Sequence, residues 1–228
     1  GSIGRYRINP EFSNKKTAEL WFDIESSPFD ENGNKIKVMT KEIIKKRFPL
    51  LKEKLLQLAV VILPYFNDKN KMYVRASGSG LHLFFFVENI TSEQWINITR
   101  FFIDKSRLKN TKNAFSLVYG IDVDAVISVK RKIRETYSSN LDKLQLGKVD
   151  YKNYCSCFTL NEFLDLMEYP FSESLENVKS PNKYLSFNLP KILADISLSY
   201  IPKTESTIEK RKTDITTKTI IYSRIPKN

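Results

Sequence analysis

The stretch from Met72 to Val87 constrains the fold most. Met72 to Ala76 reads as a strand, Ser77-Gly78-Ser79-Gly80 as a tight turn, and Leu81 to Val87 as a second strand that is apolar on both sides. A strand of that kind has to be fully buried. Glu19 to Ile24 is short, apolar and aromatic, and reads as a further strand. From Thr40, Ile43, Ile44, Phe48, Leu51, Leu55 and Leu58 recur at helical spacing, and Pro49 is expected to split or kink that helix. Asp30 to Asn34 is a turn cluster, and Thr91-Ser92-Glu93-Gln94 and Thr159-Leu160-Asn161-Glu162 are capping boxes that open helices. Leu117 to Val126 and Lys130 to Glu135 read as strands. Strands and helices mix without strict alternation, which predicts an α+β domain.

Residues 1–175 carry these elements and are expected to form the core. Residues 176–228 read as an extension packing on it, in which Leu185 to Leu198 is apolar and 203–219 is a polar, mobile segment. Ile220-Ile221-Tyr222 reads as a last strand or a docking tail. The longest apolar run, Leu58 to Leu63, falls far short of the roughly 20 residues a bilayer requires, so no membrane span is expected. No N-terminal segment has the pattern of a secretion signal, and a cytoplasmic location is expected. The Gly1-Ser2 start, without Met, leads us to expect a larger parent chain or further subunits.

A single His and two Cys exclude a structural zinc site. Such a site needs four N/S ligands in spaced pairs, and His82 with Cys155-Ser156-Cys157 supplies at most three. Any metal is expected to be a hard cation held by carboxylate oxygens. Lys and Arg exceed Asp and Glu by 37 to 26, a net charge of +11 spread along the chain rather than gathered in a tail. That distribution favours a basic working surface suited to nucleic acid, although a Lys-rich background composition would give the same count.

Three clusters could carry chemistry. In Leu20-Trp21-Phe22-Asp23-Ile24-Glu25, the strand period of two puts Asp23 and Glu25 on one face. Paired carboxylates repel unless a cation sits between them, so Mg²⁺ or Mn²⁺ is the natural guest; a strand ending in solvated acids would look the same. In Ser77-Gly78-Ser79-Gly80-Leu81-His82, glycine N–H groups and serine hydroxyls can cradle phosphate, with His82 aimed at whatever the turn holds. The alternative is a Gly/Ser hairpin with a half-buried histidine. The third cluster runs from Gly120-Ile121-Asp122-Val123-Asp124 through Lys130-Arg131-Lys132-Ile133-Arg134 to Ser138-Ser139-Asn140. Here a strand-end carboxylate precedes a basic strand whose arginine suits phosphate, or simply a solvated basic strand. Taken together, the three describe a nucleoside-triphosphate site.

The order D-x-E, then S-G-x-G-x-H, then hydrophobic-Asp followed by Arg and Ser resembles the archaeo-eukaryotic primase superfamily, over Phe22 to about Gly147. The pattern is closest to the primase-polymerases of plasmids, mobile elements and CRISPR loci. The resemblance implies an RRM-like sheet packed against a second αβ module. It implies that Asp23, Glu25 and Asp122 are catalytic and bind two divalent ions, Mg²⁺ or Mn²⁺. It further implies nucleotide contacts from Ser77, Gly78, Ser79, Gly80, His82, Arg134 and Ser138. Asn140 stands where many members have a phosphate-contacting His. Asp124, on the same face as Asp122, is a rival ligand, and the spacing to Arg134 favours Asp122. Cys157 to Met167 matches the short segment and helix that follow the third motif.

The expected function is template-directed nucleotidyl transfer: primer synthesis, with or without extension, from NTPs or dNTPs on single-stranded DNA or RNA. Two other classes compete. One is a non-catalytic nucleic-acid-binding subunit of the same fold, and the other is a metal-dependent nuclease.

Overall fold

A computed structural model describes residues 4–6, 17–30, 32–66, 68, 71–88, 90–106, 121–124, 132–182 and 189–199. The strand and helix content is α+β. Five strands form one antiparallel sheet: β2 (Thr17–Ser26), β3 (Tyr73–Ala76), β4 (Gly80–Glu88), β5 (Ile121–Asp124) and β7 (Ser156–Thr159), in the order β5-β2-β4-β3-β7. A separate pair joins β1 (Gly4–Tyr6) to β6 (Lys132–Arg134), with Gly4 opposite Arg134. The helices are α1 (Lys41–Ile62), α2 (Ser92–Ser106), α3 (Leu141–Gln145), α4 (Leu160–Leu164) and α5 (Leu189–Ser199). Contacts divide the chain into two units, Gly1–Leu193 and Ala194–Asn228.

The expected buried strand Leu81 to Val87 lies inside β4, between β2 and β3. That central place explains why neither of its faces can be polar throughout. Leu20, Phe22 and Ile24 of β2 and Leu81, Leu83 and Phe85 of β4 form one face of the sheet, and all are fully buried. This face meets the helices: α1 packs on β2, β4 and β5, and Phe22 contacts Phe102 of α2 edge-on with ring centroids 6.4 Å apart.

Pro49 does not break α1. The helix runs unbroken from Lys41 to Ile62, with Thr40 accepting from the Ile43 N–H as its cap. Pro49 and Lys45, whose carbonyl loses its helical donor, are both exposed. Ile44, Phe48, Leu51, Leu55, Leu58 and Ile62 all bury one stripe, and that burial holds the helix through the missing bond. Both capping boxes close reciprocally: Gln94 N donates to Thr91 Oγ1 (3.1 Å) while Thr91 N donates to Gln94 Oε1 (2.9 Å). Thr159 and Glu162 repeat the arrangement at α4.

Of the strand expected at 117–126, the structure describes 121–124; of that at 130–135, 132–134 is strand. Part of the apolar 185–198 stretch is α5. The expectations for 203–219 and 220–222 lie outside the described residues. Among the described residues no helix is long and apolar enough to cross a membrane.

Candidate functional site

The face of the sheet away from α1 and α2 carries the candidate site residues of β2 and β4. At one end Trp21, Tyr73, Phe84 and Cys157 form a buried cluster, with Phe86 packed against it. Moving along β2 toward its C-terminal end, the same face turns polar. Strand register sets the neighbours. Asp23 stands opposite His82 on β4 and opposite Asp124 on β5. Glu25 stands opposite Gly80 on β4 and Asp122 on β5. Residues directly opposite across a sheet share a face, so the three sequence clusters, far apart in the chain, meet on adjacent strands. For β5 the description is of the backbone, so the placement of Asp122 and Asp124 is one of register.

Asp23 and His82 are both buried, with His82 Nε2 3.6 Å from Asp23 Oδ1. The indole of Trp21 flanks the imidazole, with ring centroids 5.9 Å apart. Glu25, one strand period further on, is only partly buried. The row continues past His82 to Arg75 on β3. Arg75 is fully buried, lies 4.2 Å over the Phe84 ring and pairs with the buried Glu19 at 3.4 Å. Its Nε and Nη1 have no hydrogen-bond partner among the described residues.

The Ser77–Gly80 turn is held from below. Ser77 N and Oγ both donate to the Gly80 carbonyl, at 3.0 and 3.1 Å. Gly78 N donates to the Tyr169 hydroxyl (2.8 Å), which itself donates to the Gly80 carbonyl (2.8 Å). The Tyr151 hydroxyl donates to the Gly78 carbonyl at 2.6 Å. Burial pushes the hydroxyls of both tyrosines well above the ordinary phenol range, so they keep their protons. Gly78 needs its glycine because φ is +103°, and Gly80 because a Cβ there would lie 2.4 Å from the Ile24 carbonyl oxygen. The Ser77 N–H is thus engaged within the turn and the Gly78 N–H on Tyr169.

Two cations approach the turn. Arg134 Nη1 reaches the Ser77 carbonyl at 3.3 Å, and Lys143 Nζ donates to Ser79 Oγ at 3.0 Å. Behind them Ser138 Oγ donates to the Glu135 carbonyl at 2.6 Å. The Asn140 amide donates to the Tyr151 carbonyl (3.0 Å), and its oxygen accepts from Asn153 N (2.7 Å). Ser138 and Asn140 are both buried, in the framework that carries Tyr151. Cys155 lies there too; burial pushes its thiol up, against the opposing pull of Ser138, Arg134, Arg75 and Lys143.

The structure therefore brings together Asp23, Glu25, His82, the turn and Arg134, and by register Asp122. Lys143, Tyr151 and Tyr169 escaped the sequence reading. Arg75 had a signal: a charge inside an otherwise apolar strand. The tyrosines had none, since the residues they hold lie 73 and 91 positions away. Among the described residues no group of three or more His, Cys, Asp and Glu is placed to hold a metal. The carboxylates of Asp23 and Glu25 are hard oxygen donors on one strand face, a donor type that suits a hard divalent cation such as Mg²⁺ or Mn²⁺. No family model, curated protein or solved structure matches this chain.

Proposed function

We propose that the domain is a primase-polymerase: it transfers nucleotides from NTPs or dNTPs onto a growing strand directed by a single-stranded template, on a primase-type fold. The observation that carries this is the register of β5-β2-β4. It sets Asp23 and Glu25 between Asp124 and Asp122 on one side and His82 and Gly80 on the other. In this reading Asp23, Glu25 and Asp122 hold two Mg²⁺ or Mn²⁺ ions. Ions held there would supply activation of the attacking hydroxyl and charge neutralisation for the leaving pyrophosphate. The protein's own residues do the positioning. His82 donates to a phosphate oxygen, Arg134 supplies a forked pair of donors, and the Tyr-held turn fixes both relative to β2. The remaining Lys and Arg track the template backbone, consistent with a net charge of +11.

The test is to incubate the protein with single-stranded template, Mn²⁺ and NTPs or dNTPs, and to size the products. Longer strands support the proposal. Unchanged template with retained binding makes the domain a nucleic-acid-binding subunit, and shorter strands make it a nuclease.

A further inference from the structure

Helix α3 sets two oppositely charged neighbours against the candidate site. Lys143 Nζ donates to Ser79 Oγ at 3.0 Å. Asp142 Oδ1 accepts from Arg134 Nη2 at 2.9 Å, while Nη1 of the same guanidinium reaches the Ser77 carbonyl. Arg134 and Lys143 thus bracket the Ser77–Gly80 turn. Each is held by a partner that an anion can replace. Lys143 has a neutral hydroxyl, a weaker acceptor for an ammonium than a phosphate oxygen. Arg134 has a carboxylate whose side chain is 51% exposed, a pairing of small net worth. The N–H groups of Ser77 and Gly78 are engaged within the turn and on Tyr169. An anion docking there meets these two cations on either side of the turn.

We propose that Lys143 is a polyphosphate-contacting residue that forms a two-cation clamp with Arg134 across the turn, and that Asp142 is a built-in competitor that occupies the Arg134 fork until the anion arrives. Taking that anion to be the tail of a nucleoside triphosphate rests on the nucleotidyl-transfer reading. The clamp itself depends only on the geometry of the turn. It gives adjacent residues opposite effects: loss of Lys143 removes a contact, whereas loss of the Asp142 charge frees one.

The experiment titrates inorganic triphosphate into the full chain by calorimetry, at low ionic strength and with chelator present, so that carboxylate-bound metal contributes nothing. Wild type binds. Lys143→Ala binds about ten- to a hundredfold more weakly, the loss of one hydrogen bond to a charged group. Asp142→Asn binds about two- to fivefold more tightly, the release of one half-exposed ion pair. Misfolding cannot produce a gain, so the second variant protects the test if the first is unstable. Wild-type affinity in Lys143→Ala overturns the clamp, and so does a wild type that does not bind triphosphate. Unchanged or weaker binding by Asp142→Asn overturns the competitor. If the affinities follow the proposal but no strand synthesis is found, the clamp stands and the primase reading falls. Strand synthesis with an unaltered nucleotide KM in Lys143→Ala leaves the primase reading standing and removes the clamp.

Discussion

Replacing Tyr169 by Phe should loosen the turn on which the proposed chemistry depends, and its cost can be worked from the contacts. The hydroxyl is buried and serves the turn twice, accepting from Gly78 N and donating to the Gly80 carbonyl. The two losses are unequal. The Gly80 carbonyl keeps Ser77 N and Ser77 Oγ as donors, at 3.0 and 3.1 Å. The Gly78 N–H loses its acceptor in a buried position. An orphaned buried donor costs about 1–3 kcal/mol. For a chain of this size each kcal/mol shifts Tm by roughly 2–4 °C, so Tyr169→Phe should lower Tm by about 2–12 °C. Thermal unfolding monitored by circular dichroism measures it. Tyr137→Phe is the control, because Tyr137 is 52% exposed and should change stability by less than about 0.5 kcal/mol. A Tyr169→Phe protein melting within 1 °C of wild type would refute the claim that this hydroxyl holds the turn.

Asp23→Asn or Glu25→Gln should abolish nucleotide incorporation while leaving template affinity and Tm near wild type; template-extension assays with either variant near full rate in Mn²⁺ would remove the metal-ligand roles. His82→Ala should raise nucleotide KM by roughly ten- to a hundredfold, the loss of one hydrogen bond to a phosphate, and leave template affinity unchanged. If instead Tm falls and nucleotide kinetics per folded molecule stay normal, the histidine is structural. Gly80→Ala should destabilise by about 1–3 kcal/mol or more, because the added Cβ meets the backbone of Ile24 and Glu25 at 2.4 and 2.9 Å. A Gly80→Ala melt matching wild type would contradict that close approach.

The sequence made some of this legible and hid the rest for physical reasons. Strand period alone put Asp23 and Glu25 on one face, and β2 carries them there. The capping boxes at Thr91 and Thr159 are local devices, and both close as expected. The split offered for Pro49 does not occur, because a helix breaker judged locally ignores what the buried stripe of α1 contributes from one side. The Gly/Ser turn was legible as a turn. Its glycines, however, also answer to steric limits set by Asn153 and by the β2 backbone, which only the assembled sheet reveals. The pairing of Glu25 with Asp122 depends on β5 lying beside β2, a contact across nearly a hundred residues with no local trace. The same holds for Tyr151 and Tyr169. Lys143 was one lysine among many until α3 brought it to Ser79.

The most direct test of the central claim is a crystal structure of the full chain with Mn²⁺ and a non-hydrolysable nucleoside triphosphate, read by manganese anomalous scattering. The account predicts two manganese peaks between β2 and β5, ligated by Asp23, Glu25 and Asp122. The triphosphate should seat on the Ser77–Gly80 turn within reach of His82 and Arg134. Manganese bound elsewhere, or a nucleotide on the helix-covered face of the sheet, would contradict it.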